Sequence, residues 1–296
     1  MIEPADEGAQ SGQPGVDGFS DAVTFAFGDP ERRLYGSVRL GLVRGTPPRA
    51  SGLGLLFADG DVVAAEIVGG TEVERADWTR LDVGDVSGAI VEPLRAWEVG
   101  FDGDEGGFEL RFDALGPPAE LGGDALAASA ANLHGYEQLC RVTGSVRRGE
   151  QRTRVDCLGQ RGHQWGAPDW ERLALARTLS AWFEDGAGVA LASARPQGAS
   201  GHDAELASAF LFEPDAAVAI ADPRLSTASD AEGRQRRAGL ELWVGEDDEA
   251  GPHRLAGEAV CGTTLDLGRL RLDCAFFDWR MDGRHGVGRY DVLRRA

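Results

Sequence analysis

Short runs in which apolar and polar residues alternate recur along most of the chain. Leu34–Val43 reads Leu-Tyr-Gly-Ser-Val-Arg-Leu-Gly-Leu-Val, and across residues 22–27 small or polar side chains separate Val23, Phe25 and Phe27. A period of two puts alternate side chains on opposite faces of an extended strand. Read this way, the first part of the chain predicts strands over 22–27, 34–43, 52–58, 62–68, 78–83, 89–101 and 108–115. Asp59-Gly60-Asp61 signals a hairpin, because Asp-Gly accepts the positive φ of a two-residue turn. A second series is predicted over 136–146, 153–158, 173–183, 189–195, 210–212, 218–221, 240–244, 254–260, 265–272, 274–279 and 287–293. No helical period interleaves these strands, so the expected class is all-β, a barrel or sandwich rather than a parallel sheet under helices.

The likeliest division of the chain follows Gly116-Pro117-Pro118. Residues 1–18, rich in Gly, Pro, Asp, Glu and Gln, are expected to be a disordered tail. Residues 19–125 then form a first β domain and 126–296 a second, with an Ala-rich stretch at 126–133 that could hold one short helix. No internal sequence repeat joins the two halves.

Composition narrows the chemistry. Glycine is 42 of 296 residues, about twice ordinary usage, which suits many strands joined by tight turns. The formal charge of −19 argues against nucleic acid and anionic membranes as partners, since phosphate binding needs clustered cations. All 30 basic residues are Arg, which removes Schiff-base and pyridoxal chemistry and a phosphate-loop lysine. Cys140, Cys157, Cys261 and Cys274 form no Cys-x-x-Cys pair and read as small apolar residues within strands. The five histidines show no metal-ligand spacing, so no metal is expected. No Gly-x-Ser-x-Gly elbow and no Gly-x-Gly-x-x-Gly between strand and helix is found. The first residues are acidic and polar, unlike a secretory signal, and no run is long enough to span a membrane; a cytoplasmic location is expected.

The chemistry concentrates in residues 159–170, Gly-Gln-Arg-Gly-His-Gln-Trp-Gly-Ala-Pro-Asp-Trp. On a strand, Arg161, His163 and Trp165 share one face. A titratable imidazole beside aromatic rings suits a pocket that holds an apolar molecule and moves a proton: protonating an alkene leaves a carbocation that ring faces stabilise. The plainer alternative is a structural ladder in which the tryptophans only pack and His163 is a satisfied buried imidazole.

This run resembles the signature Gly-x-Gly-x-Arg-Asp-His-Ser-Trp-Gly-x-Arg-x-Trp of proteins similar to carotenoid 1,2-hydratase, of the AttH-like group. The resemblance extends to Tyr136-Glu137-Gln138, Arg141-Val142-Thr143-Gly144, Asp282-Gly283-Arg284 and Gly286-Val287-Gly288, and more faintly to Glu92-Pro93-Leu94-Arg95-Ala96-Trp97. It implies two lipocalin-like β-barrels in tandem and a lyase or isomerase, a hydratase or cyclase needing no cofactor, for an apolar prenyl, polyene or polyketide-like substrate. His163, Arg161 and Trp165 would then be catalytic, and Tyr136, Glu137, Trp170, Trp182 and Trp97 would line the substrate site. Gly162, Gln164 and Pro168 depart from the pattern, which has Asp, Ser and Arg there, so a carboxylate expected beside the histidine is missing. That departure favours the alternative function, a non-catalytic carrier of a hydrophobic ligand; retention of Arg161, His163 and Trp165 favours the enzyme.

Overall fold

The computed structural model describes residues 2–11, 18–120, 131–199, 205–245 and 251–296. The alternating runs fold as antiparallel strands in two compact units, Met1–Glu120 with His134–Ala167, and Leu121–Leu133 with Pro168–Ala296. The first unit holds β1 (Ser20–Asp29), β2 (Leu34–Val43), β3 (Arg49–Ala58), β4 (Asp61–Glu72), β5 (Leu81–Val83), β6 (Val86–Glu92), β7 (Ala96–Asp102), β8 (Gly106–Ala114), β9 (Ala119–Glu120), β10 (Leu133–Arg148) and β11 (Gln151–Gly166). Its sheet runs β4-β3-β2-β1-β11-β10-β8-β7-β6-β5, with β9 beside β10. The second holds β12 (Leu173–Phe183), β13 (Gly188–Pro196), β14 (Leu206–Glu213), β15 (Ala216–Ala219), β16 (Asp222–Ser229), β17 (Gln235–Trp243), β18 (His253–Asp266), β19 (Leu270–Met281) and β20 (Arg284–Arg295). Its sheet runs β15-β14-β13-β12-β20-β19-β18-β17-β16.

Both units therefore share one plan, hidden from sequence self-comparison. In each, the first strand pairs with the last, and the sheet ends at the fourth and fifth strands of its unit. The all-β expectation holds: the architecture is two lipocalin-like domains in tandem, one sheet a nearly closed barrel and the other a half-barrel. Asp59-Gly60, with φ of 56° and 101°, joins β3 to β4 as the Asp-Gly signal predicts.

Several expectations change. Residues 134–167, placed with the second domain by a boundary at 125/126, belong to the first unit. The reason is the ladder between β1 and β11, which runs from Ser20↔Gly166 to Gly28↔Leu158. Of the expected disordered tail, residues 2–11 are described: Pro4–Glu7 makes one 3-10 turn and Glu7 is completely buried. Most of the proposed short helix, residues 126–130, lies outside the described residues. The run 89–101 is broken into β6 and β7 by a turn in which Leu94 has φ 57°. The run 265–272 likewise contains the turn between β18 and β19, and β16, a mostly exposed strand with little apolar alternation, lies outside the predicted runs.

Glycine does more than make turns. The interior of the first unit is packed with aromatic rings, including tilted and edge-on pairs such as Phe25–Trp97 at 5.1 Å and Phe27–Phe108 at 5.2 Å, each contributing about 0.5–1.5 kcal/mol beyond its buried area. Gly54 on β3 leaves the space that the Phe101 ring fills, and Gly257 on β18 does so for Trp279. No helix among the described residues is long and apolar enough to cross a membrane. The four cysteines are free thiols. Cys140 lies fully buried in the first core, and burial pushes its thiol up to about 12.

Two outcomes are expected. A Cβ at Gly257 would come within 2.7 Å of three Trp279 ring carbons, so Gly257→Ala should destabilise the protein by about 1–3 kcal/mol, seen as a lower urea midpoint. At pH 8, below the raised value, the Cys140 thiol stays protonated, and only the thiolate is nucleophilic. Iodoacetamide should therefore leave Cys140 unmodified in the native protein and alkylate it after unfolding, as read by peptide mass spectrometry.

Candidate active site

The interior faces of β1, β7, β10 and β11 converge on a buried polar cluster. Alternation selects its members: odd residues of β11 point inward with odd residues of β1 and even residues of β10. Arg161 pairs across the ladder with Phe25, His163 with Val23 and Trp165 with Asp21. Asp21 is thus one diagonal step from His163, near enough for their side chains to meet.

His163 is 1% exposed, and its Nε2 lies 2.6 Å from Oδ1 of Asp21. The other Asp21 oxygen accepts the indole N–H of Trp78 at 3.2 Å and the backbone N–H of Gln10 at 2.7 Å. A carboxylate held by these donors fixes the plane of the imidazole and assigns a proton to Nε2. Nδ1 is then the ring nitrogen left for chemistry; it is buried and has no hydrogen-bond partner among the described residues. Three rings surround the imidazole: Trp165 with centroids 4.9 Å away, Tyr136 at 5.7 Å and Trp78 at 6.0 Å.

One step deeper, Arg161 is the hub of a second set. Its Nε and Nη2 donate to Oε1 of Gln138 at 2.9 and 2.6 Å, and its Nη1 donates to the carboxylate of Glu7. Glu7 also accepts the Trp97 indole N–H at 2.6 Å, the Tyr136 hydroxyl at 3.2 Å and the backbone N–H of Leu94. Gln138 donates to the carbonyls of Gly116 and Leu94 at 2.6 and 3.2 Å, which holds its oxygen toward Arg161. Burial opposes the guanidinium charge, yet the acidic groups of Tyr136, Glu7 and Cys140 around it hold Arg161 above its usual range. Burial pushes the Tyr136 hydroxyl well up, so it remains a protonated donor.

Of the residues singled out in the sequence, Arg161, His163, Trp165, Tyr136 and Trp97 come together here. Glu137 does not. It lies on the opposite face, where its carboxylate accepts from Gln160 at 2.7 Å and covers Gly162 so closely that a Cβ there would stand 2.5 Å from both oxygens. Position 162 therefore faces away from His163, and the carboxylate that reaches the imidazole is Asp21. Trp170 lies beyond the end of β11 and packs in the second unit against a small cluster of Ala131, Leu173 and Ala194. Trp182, on β12 of the second unit, is buried on the face opposite Leu179, Ala181 and Phe183.

Sequence reasoning missed Glu7, Asp21, Trp78 and Gln138. Two of these carried a usable signal, since the rule that joins His163 to Trp165 also joins Tyr136 to Gln138 and Asp21 to Val23 and Phe25. Glu7 carried none. Among the described residues no three His, Cys, Asp or Glu side chains gather as a metal site. Grooves of about 420 and 830 Å³ elsewhere in the first unit are lined by other residues, such as Arg111 and Thr143 in one and Arg154 and Asp156 in the other.

Solved structures share this architecture across almost the whole chain. An AttH protein from Nitrosomonas europaea superposes with a TM-score of 0.68 at 13% identity, covering 94% of this chain and 92% of that one. CghA in complex with Sch210972 gives 0.67 at 11% identity, covering 97% and 94%. Kievitone hydratase from Nectria haematococca gives 0.61 at 12% identity, covering 95% and 90%. The fold is thus that of the AttH-like proteins. A search of curated proteins returns no match. The family profile described as a domain of unknown function, DUF7064, matches residues 3–296, and the chain belongs to that family.

Proposed function

We propose that the protein is a lyase or isomerase of the hydratase or cyclase type, acting on an apolar small molecule by proton transfer at Nδ1 of His163. The observation that carries this reading is the buried Asp21–His163 pair, with its second nitrogen unpartnered amid Trp165, Tyr136 and Trp78. Two neighbours in fold support it, one named as a hydratase and the other, CghA, holding a small molecule in its crystal structure.

In a hydration, His163 starts as the imidazolium, with one proton on Nε2 toward Asp21 and one on Nδ1. The Nδ1 proton passes to one alkene carbon, whose π electrons form the new C–H bond, and the ring is left neutral. Trp165 and Trp78 face the cationic carbon that results and lower its energy through their ring quadrupoles. Water adds to that carbon and returns a proton to Nδ1, which restores the histidine. Asp21 keeps the imidazole oriented and balances its charge while it is an imidazolium. In a cyclisation the second step is attack by another double bond of the same molecule, with the proton lost from carbon returning to Nδ1. Arg161, braced by Gln138, orients the polar end of the substrate. No cofactor has a part in this scheme. Gly162, whose departure from the signature spoke for a carrier, faces away from the imidazole and removes nothing from this site.

The test is incubation in heavy water with a panel of prenyl alkenes and polyenes. Deuterium should enter carbon positions with the native protein, and His163→Gln should slow this by about 10²–10⁴-fold. If both proteins only bind the same unchanged molecules, the chain is a carrier and the catalytic reading fails.

A further inference from the structure

The four donors that meet at Glu7 form a site for a carboxylate, and the carboxylate now in it comes from outside the barrel wall. Arg161, Trp97 and Tyr136 sit on strands, and the Leu94 N–H belongs to the β6–β7 turn, where its residue adopts φ 57°. These donors are held without help from Glu7. Gln138 grips two nitrogens of Arg161 and is itself tied to two backbone carbonyls. Such a prearranged cluster of N–H and O–H groups favours an anion, and bidentate-capable Arg is the residue suited to a carboxylate.

Glu7 reaches it from a single 3-10 turn that joins no sheet. Among residues 2–11 it is the one buried side chain. The segment's other links to the barrel are few: Gln10 N–H to Asp21 at 2.7 Å, Arg44 to the Ala9 carbonyl at 2.5 Å, and partial packing of Ala9 on the core. The same ten residues thus cover both halves of the cluster, Glu7 on Arg161 and Gln10 on the carboxylate that holds His163. The second sign of a ligand is the buried Nδ1 of His163, which has no partner beside this filled cradle.

We infer that the cradle of Arg161, Trp97, Tyr136 and the Leu94 N–H binds the carboxylate of an apolar carboxylic acid, and that Glu7 is its internal occupant, displaced when that acid binds. This rests on reading the cluster as the substrate site, though not on any reaction there. The selectivity follows from charge. A neutral apolar molecule that displaced Glu7 would leave Arg161 buried without a counterion, which is strongly unfavourable, whereas a carboxylate replaces like with like.

The test uses octanoate as probe and octanol as its neutral control, with amide hydrogen exchange of the full chain and titration calorimetry. Octanoate should speed exchange across residues 2–11 of the native protein, and Glu7→Gln should bind octanoate at least tenfold more tightly than the native chain. Octanol should show neither effect. The inference is overturned if exchange in residues 2–11 is unchanged at octanoate concentrations that saturate the native protein, if neither protein binds octanoate, or if Glu7→Gln strengthens octanol as much as octanoate. The native exchange measurement decides the matter even if the variant does not fold. Displacement by octanoate without deuterium transfer to any substrate would leave a carboxylate-binding barrel and remove the enzyme; deuterium transfer without displacement would leave the enzyme with Glu7 as a fixed part of its core.

Discussion

The ladder between β1 and β11 is the contact on which the first unit depends. Without it, β1–β4 and β5–β8 are two separate meanders, each with an apolar face open to water. The β10–β11 hairpin enters between β1 and β8, pairing with both, and joins the two into one curved sheet. Because side chains alternate, the same nine paired positions that hold the sheet together fix which residues of β11 face inward. A slip of one residue would turn Arg161, His163 and Trp165 outward and bring Gly162 and Gln164 inside. Structure and candidate chemistry therefore share a single register.

That register brings a costly set of groups into the core. Arg161, His163, Asp21 and Glu7 are all within 2% of full burial, and an uncompensated charge there would disfavour folding by several kcal/mol, about 3–5 when one partner of a pair is lost. The arrangement meets this cost by pairing each charge and supplying neutral partners: indole N–H donors from Trp78 and Trp97, a phenol donor from Tyr136, and an amide oxygen of Gln138 that accepts from Arg161. The tryptophans act twice, packing the barrel with their rings and hydrogen-bonding the carboxylates with their edges. Nδ1 of His163 stands outside this accounting: it is buried and has no hydrogen-bond partner among the described residues.

The second unit repeats the strand plan of the first with different interior chemistry. Its last strand, β20, pairs with β12 as β11 pairs with β1. Its interior places Tyr290, whose hydroxyl is 2.7 Å from Thr227, and Arg177, ion-paired to Glu205 at 3.3 Å. Arg177 also donates to the Thr227 hydroxyl at 3.3 Å, so these groups link β12, β16 and β20. Neighbours of the same fold at 11–13% identity show how little of the sequence such a barrel requires: apolar alternation, turn residues, and room for rings of the kind left by Gly54 and Gly257.

Local pattern alone determined that the chain is all-β, where most strands run, that Arg161, His163 and Trp165 share a face, and that Asp59-Gly60 turns, because these follow from a period of two and from the φ that a residue accepts. Resemblance added the tandem barrels. Tertiary structure alone decided the rest. It moved residues 134–167 into the first unit, since a strand's hydrogen-bonding partner is set by sheet closure and not by nearness in sequence. It chose Asp21 over position 162 as the carboxylate at His163, and Gln138 over Glu137 beside Tyr136, because the face a side chain occupies outweighs its place in a motif. It placed Trp170 and Trp182 in the second unit. It also brought Glu7 from a segment with the composition of a disordered tail into the centre of a barrel, for a reason no local pattern holds: a buried guanidinium 154 residues away needed a counterion.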